Sequence, residues 1–205
     1  MNHPNIKSVV SIHSPRPSRR VLAALLCALG AAAFAVAILA GSALAATTNL
    51  VKNGSFEKDS NGDGIPNNWH DFPNILPIDK RVCNQSKAGN CSFLIVGNNS
   101  IKQLYQTMAV SGLAGDEFDL SFWAKGKDLI LSPGDAAGVV LAPQLNAGGE
   151  DTSHYSLLPA GSSPWTLHEL HAEASGDFYA IRIYLYLYAD SGKVWFDQAK
   201  LVAAP

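Results

Sequence analysis

The segment Ile181-Arg182-Ile183-Tyr184-Leu185-Tyr186-Leu187-Tyr188 alternates without a break between aliphatic and polar-tipped residues. A strand sends successive side chains to opposite faces. Ile181, Ile183, Leu185 and Leu187 therefore share one face, and Arg182, Tyr184, Tyr186 and Tyr188 share the other. The aliphatic face carries no polar atom and is free to be buried. The opposite face holds three phenols and a guanidinium, groups that are apolar in body and polar at the tip. Same-face neighbours lie about 6.6 Å apart, near the size of a sugar ring, so an aromatic strip of this kind suits carbohydrate. The plainer reading is a solvated sheet face covered by tyrosines, which are good strand formers.

The first 45 residues have a different character from the rest. They contain no acid and four bases, Lys7, Arg16, Arg19 and Arg20, and the run Val21 to Ala45 is uncharged and dominated by Ala, Leu, Val and Ile. Ala43-Leu44-Ala45 is a small-x-small cleavage pattern, so residues 1–45 read as a secretory signal peptide and residues 46–205 as the mature chain. The uncharged run of 25 residues is also long enough to span a bilayer, and a retained anchor is the alternative. Either way the basic flank stays inside and the remainder is exported, which places the domain outside the cell or at its surface.

The mature part is large enough for one domain with a proper core. Four of the 15 Lys and Arg lie in the leader, which leaves 11 against 17 acids, a formal charge of −6. A mildly acidic domain lacks the overall basic footprint of nucleic-acid binders and of proteins that dock on anionic membranes. Neither partner is expected. Of the three cysteines, Cys27 falls in the leader, while Cys83 and Cys91 bracket the polar segment Asn84–Asn90. In an exported chain this predicts a structural disulfide.

Strand patterns follow one another along the mature chain. They are expected near Val82–Cys83, Ser92–Val96, Lys102–Val110, Glu117–Lys125, Gly138–Leu145, His154–Leu158, Thr166–Ala174, Tyr179–Tyr188 and Val194–Val202, separated by Gly, Asp, Asn and Pro clusters. No sustained 3.6-residue period appears. Many short, evenly spaced strands predict an all-β sandwich or barrel.

The two ends of this region carry a resemblance. Asn49-Leu50-Val51-Lys52-Asn53-Gly54-Ser55-Phe56-Glu57, followed by Pro66-Asn67-Asn68-Trp69, is similar to the opening of CenC-type carbohydrate-binding modules, and Val194-Trp195-Phe196-Asp197-Gln198-Ala199-Lys200-Leu201 resembles their closing strand. Ser92–Val96, Gln106–Val110 and Leu120–Lys125 match internal strands of that family in order. The resemblance implies an antiparallel jelly-roll β-sandwich with ligand held in a concave sheet, to which the penultimate strand often contributes. Here that strand carries the tyrosines. It implies that Tyr184 and Tyr186 stack on sugar rings, with Tyr188 at the rim and Arg182 donating to hydroxyls or a uronic carboxylate. Trp123 and Tyr105 are further candidates, each alternating with neighbours that face the other way. Trp69 and Trp195 belong to the framing motifs and are expected to pack. The implied role is a secreted, noncatalytic module whose partner is a polysaccharide or glycan.

The same resemblance implies a structural calcium joining Glu57 to Asp197, with a backbone carbonyl near Gly54 or Ser55 completing the oxygens. A hard cation needing six to eight oxygens ties strands together in this way. Independently, Asp59-Ser60-Asn61-Gly62-Asp63-Gly64 places oxygen side chains at positions 1, 3 and 5 and glycine at 6, as in the first half of an EF-hand loop. Position 12 is His70 in place of the bidentate glutamate. Asp59, Asn61 and Asp63 form a second candidate calcium set, or an ordinary turn.

Catalytic signals are sparse. His168-Glu169-Leu170-His171 lies in a strand pattern, where positions 168 and 171 face opposite ways. No nucleophile elbow, zinc-protease motif or phosphate loop is present. A pair of carboxylates on a jelly roll could hydrolyse glycosides, which makes a glycoside-active enzyme a third reading, but the acids here fall mostly in turns, and Glu150 and Asp151 read as a solvated turn pair. The rival to glycan binding is an extracellular surface or matrix protein that uses the tyrosine face as a protein contact, for which tyrosine is equally suited.

Overall fold

The computed structural model describes residues 48–204, so the expected leader at 1–45 lies outside the described residues. Ten strands follow in order: β1 (His70–Phe72), β2 (Lys80–Val82), β3 (Ser92–Val96), β4 (Lys102–Met108), β5 (Glu117–Ile130), β6 (Ala136–Leu145), β7 (His154–Leu157), β8 (Gly161–Glu173), β9 (Phe178–Tyr188) and β10 (Ser191–Ala203). They form two five-stranded antiparallel sheets. The first has the order β1-β4-β9-β6-β7 and the second β2-β3-β10-β5-β8. The all-β jelly-roll sandwich expected from the sequence is the architecture observed.

Alternation decides which side of each strand is buried. Ile181, Ile183, Leu185 and Leu187 of β9 are fully buried, and they meet Phe93, Ile95, Phe122, Phe196 and Leu201 from the second sheet in one core. Each such side chain contributes about 1.5–3 kcal/mol by leaving water. Expected strand bounds agree with those observed to within three residues for β2 to β10, except that β5 runs five residues further and β8 starts five residues earlier than expected. Not expected at all is β1, three exposed residues that pair with β4 through His70↔Tyr105, Asp71↔Leu104 and Phe72↔Gln103.

The framing motifs do tie the two ends of the described region together. Leu50 N donates to Leu201 O at 2.8 Å and Ala199 N to Gly54 O at 2.9 Å. Asn49 caps this seam, since its Oδ1 accepts from Leu201 N at 3.0 Å. Gly54 is required here, because a Cβ would collide with the Ala199 carbonyl. Trp69 is buried, packs on Phe56 at 5.1 Å between ring centroids and donates from Nε1 to Asn53 O. Trp195 is also buried. Both tryptophans pack, as expected.

One inward position breaks the apolar pattern. Lys102 shares parity with Leu104 and Met108 on β4 and is fully buried. Its Nζ reaches Asp79 Oδ2 and Val96 O, both at 2.8 Å. Asp79 also accepts from Leu76 N and Val96 N at 2.8 Å each. The ion pair thus joins β4 of one sheet to the entry of β2 and the end of β3 in the other.

Candidate functional site

The outer face of the first sheet is built in rows that run across the strands. Register places His70, Tyr105, Tyr184, Val140 and Tyr155 side by side on β1, β4, β9, β6 and β7. The next row is Phe72, Gln103, Tyr186, Gly138 and Leu157. Ring centroids lie 5.5 Å apart for His70 and Tyr105, and 5.9 Å for Tyr105 and Tyr184. Phe72 and Tyr155, at the two edges, are 59% and 55% exposed.

Side-chain size gives this face relief. Tyr188, Tyr186, Tyr184 and Arg182 on β9 pair with Ala136, Gly138, Val140 and Ala142 on β6. Beyond β6 stand Leu157 and Tyr155 of β7. Small residues therefore form a low strip between two taller rows, half-buried at Ala136 and Val140 and fully buried at Ala142. Gly138 is required for it, because a Cβ there would collide with the Ser156 carbonyl and push β7 away.

A polar cluster closes one end. Arg182 Nη1 donates to Glu150 Oε1 at 2.7 Å and to Tyr184 Oη at 3.0 Å, and Nε donates to Thr107 Oγ1 at 2.8 Å. The Tyr184 hydroxyl donates to the Glu150 carboxylate, 2.9 and 2.7 Å from its two oxygens. The guanidinium also lies 5.0 Å from the Tyr105 ring and 5.7 Å from the Tyr184 ring, within cation–π reach. Burial, the largest influence, pushes the Tyr184 and Tyr186 phenols up, so both hydroxyls are neutral and able to donate at physiological pH. Glu150 is not the solvated turn charge read from the sequence. It is the partner that orients Arg182.

The expected carbohydrate-binding residues divide accordingly. Arg182, Tyr105, Tyr184, Tyr186 and Tyr188 share this face. Tyr186 and Tyr188 are half-buried with ring surface to offer. Tyr184 is 9% exposed, so its ring packs and its hydroxyl fixes the Arg182–Glu150 pair. This corrects its expected stacking role. Trp123 lies on the other sheet, paired with Asp197 and Leu167. Its indole faces outward, because Phe122 and Ala124 point into the core. It is no part of the tyrosine face. His70, Phe72 and Tyr155 were missed: β1 is too short to show alternation, and Tyr155 carries no signal of the sheet it joins.

The candidate calcium ligands are engaged otherwise. Cys83 and Cys91 are bridged, as expected, and the loop they close is held by the two framing carboxylates. Glu57 Oε1 accepts from Asn90 N and Cys91 N at 2.8 and 3.1 Å. Asp197 Oδ2 accepts from Lys87 N and Ala88 N at 2.8 and 3.1 Å, and its Oδ1 accepts from Gln198 N. Burial pushes the Asp197 carboxyl up, against these bonds, which pull it down. Nearby, Arg81 donates to the carbonyls of Phe56 and Glu57, both at 2.7 Å. Three of the four carboxylate oxygens thus face N–H groups, and of the carbonyls expected to join them, that of Gly54 accepts from Ala199 N at 2.9 Å. The residues fit a clasp on the disulfide loop better than an ion. In the second set, Asp59 accepts from Gly62 N and Gly64 N, Asp63 accepts from Ile65 N, and Asn61 Nδ2 donates to Asp63. That arrangement is a turn closed by its own side chains. Among the described residues, no three His, Cys, Asp or Glu side chains gather as a metal site.

The two histidines of β8 do face apart. His168 stacks on Phe122 at 5.0 Å, with a ring nitrogen 3.3 Å from Ser156 Oγ. His171 sits on the exposed face, with Nδ1 2.9 Å from Asp119 Oδ1.

No protein-family model and no curated protein matches the sequence. Solved structures do share the fold. The chain is similar to a family 61 carbohydrate-binding module solved with β-1,4-galactotriose, with a TM-score of 0.53 and 15% identity over 77% of this chain and 100% of that one. It is similar to the CBM22-1 xylan-binding domain of Paenibacillus barcinonensis Xyn10C, with a TM-score of 0.52 and 11% identity over 76% of this chain and 94% of that one. It also resembles the enzymatically active domain of bacteriophage CBA120 tailspike protein 4, with a TM-score of 0.56 and 16% identity over 76% of this chain but only 21% of that one. Identities this low establish a shared β-sandwich fold.

Proposed function

We propose that this protein is an exported, noncatalytic carbohydrate-binding domain that holds a polysaccharide or glycan on the outer face of the sheet β1-β4-β9-β6-β7. The observation that carries the proposal is the pair of half-buried rings Tyr186 and Tyr188, set beside the small residues Ala136 and Gly138 of β6, with the Arg182 guanidinium two same-face positions further along. Pyranose rings present apolar C–H faces and hydroxyl edges, so they match aromatic walls and polar tips together. Tyr186 and Tyr188 supply ring surface, while Tyr155 and Phe72 extend the apolar contact to the sheet edges. Arg182, fixed by Glu150 and Tyr184, donates to hydroxyls. The similarity to modules solved with galactotriose or named as xylan-binding supports the class of ligand and leaves the sugar open.

The test is a glycan array probed with the exported protein, followed by affinity measurement for Tyr186→Ala on the best ligand. A loss of about 0.5–1.5 kcal/mol or more is expected, with the melting temperature unchanged within 2 °C. If wild type binds no glycan and instead captures a protein partner through the same tyrosines, the face is a protein contact.

A further inference from the structure

The opposite face of the sandwich, formed by β2-β3-β10-β5-β8, has an uneven charge. Lys127 and Lys193 occupy directly paired positions on β5 and β10, and both are exposed. Lys125 lies two residues from Lys127 on the same face. Its row continues through Trp195 and Leu94 to Lys80 on β2. The disulfide loop adds Lys87, whose Nζ stands 3.8 Å from the centroid of the Trp123 ring, while Lys125 Nζ is 5.7 Å from that of Trp195. Five ammonium groups thus surround two indoles in a domain whose mature charge is negative. Among the described residues none of the five is in a salt bridge; Lys125 donates to Gln85 Oε1. The acids within this area are taken: Asp197 by main-chain N–H groups and Asp128 by the Ser162 hydroxyl. Exposed acids of the same sheet face, Glu117, Asp119, Glu169 and Glu173, gather around His171 at its other end.

Like charges directly opposite one another in a ladder are destabilising. The Lys127–Lys193 pair therefore raises the energy of the free domain, and an anion placed over it relieves that repulsion. From Lys80 on β2 to Lys125 on β5 is three strand spacings, about 14 Å, too far for one small anion to span. The occupant must be extended and carry repeated negative charge, and its uncharged parts must lie on indole and aliphatic surface. We propose that this face is a second binding site, for an anionic polysaccharide bearing a carboxylate on each sugar. Lys127, Lys193 and Lys125 take the charges, and the half-buried Trp123 lies under a ring, while Trp195 is packed beneath them. The site is independent of the tyrosine face and needs no bound glycan there. Trp123 thereby has a sugar-facing role on the sheet opposite to the one first expected.

The experiment is affinity electrophoresis of the exported protein in gels containing polygalacturonate, with single-stranded polynucleotide and anionic phospholipid vesicles as parallel probes. Wild type should be retarded by polygalacturonate, and less so as salt rises. Lys127→Gln/Lys193→Gln should lose at least tenfold in affinity while its melting temperature stays equal or rises, because the repulsion is gone. Tyr186→Ala should be retarded like wild type, and the lysine variant should keep its affinity for any neutral glycan found on the array. Should the double variant misfold, Lys80→Gln/Lys87→Gln provides the same reading. Absence of retardation, retardation indifferent to the lysines, or equal binding to polynucleotide or vesicles would overturn the proposal. So would concentration-dependent self-association abolished by the lysine variant, which would make the face a contact between copies, lysine end to acid end.

Discussion

Removing one member of the buried Lys102–Asp79 pair should destabilise the domain more than any surface substitution. Both side chains are essentially inaccessible, at 1% and 0% exposure, with Nζ and Oδ2 2.8 Å apart. Breaking such a pair costs about 3–5 kcal/mol, because the surviving charge is left in a low-dielectric interior. The two partners differ in what survives. Asp79 without the lysine still accepts from Leu76 N and Val96 N, whereas Lys102 without the aspartate retains only the Val96 carbonyl. Asp79→Ala should therefore sit at the upper end of that range and Lys102→Met at the lower end. For a domain of this size the range corresponds to a fall in melting temperature of roughly 6–20 °C. Equilibrium urea unfolding of both variants, at low and high salt, is the assay. The cost should be nearly independent of salt, since a buried pair is poorly screened. Loss of less than 1 kcal/mol for both variants, or a cost that disappears in high salt, would refute the buried-pair reasoning.

Tyr184→Ala should cost about 3 kcal/mol of stability, the lower end for removal of a buried ring, while Tyr186→Ala should be nearly neutral; equal costs would contradict the assigned burial. Reduction of Cys83–Cys91 should cost about 2–3 kcal/mol, and mass spectrometry showing both thiols free in exported protein would end this claim. Since Glu57 and Asp197 clasp the disulfide loop through main-chain N–H bonds, the melting temperature should be the same in chelator and in excess calcium; a fall on chelation would restore the metal implied by the framing motifs. By NMR titration His171 should titrate above 6.5, because the Asp119 carboxylate favours its cation, and His168 below 6.5, because burial disfavours it. The His171 contribution to stability is present below the unfolded value and is lost as pH rises through its folded value; His168 instead costs stability as pH falls below 6.5. Inversion of the two midpoints would place the wrong histidine at the surface.

Period-two alternation made most of the fold legible, because a face is either buried or wet. Ile181 to Leu187 declared their side without any partner being known, and the parity of His168 and His171 excluded a shared site. What alternation cannot give is which sheet a strand joins. Trp123 and Phe122 are both aromatic, so either parity satisfied the pattern, and only the pairing of β5 between β10 and β8 separates Trp123 from the tyrosines. Long-range polar partners were equally hidden. Glu150 lies 32 residues from Arg182, in a turn whose composition looks solvated. Lys102 shares parity with Leu104 and Met108, a signal that was present, but its partner Asp79 sits in a loop with no pattern of its own. The framing motifs implied that the first and last segments of the described region meet, and the main-chain groups that occupy their carboxylates belong to a loop whose position sequence alone does not fix.

Backbone amide shift mapping of the protein, titrated with the best neutral oligosaccharide from the array, tests the central claim most directly. The account predicts that the largest perturbations fall on Tyr184–Tyr188, Ala136–Val140 and Gln103–Tyr105, and that Trp123, Lys127 and Lys193 stay unmoved. Perturbations centred on β5 and β10, with the tyrosine strand unchanged, would contradict it.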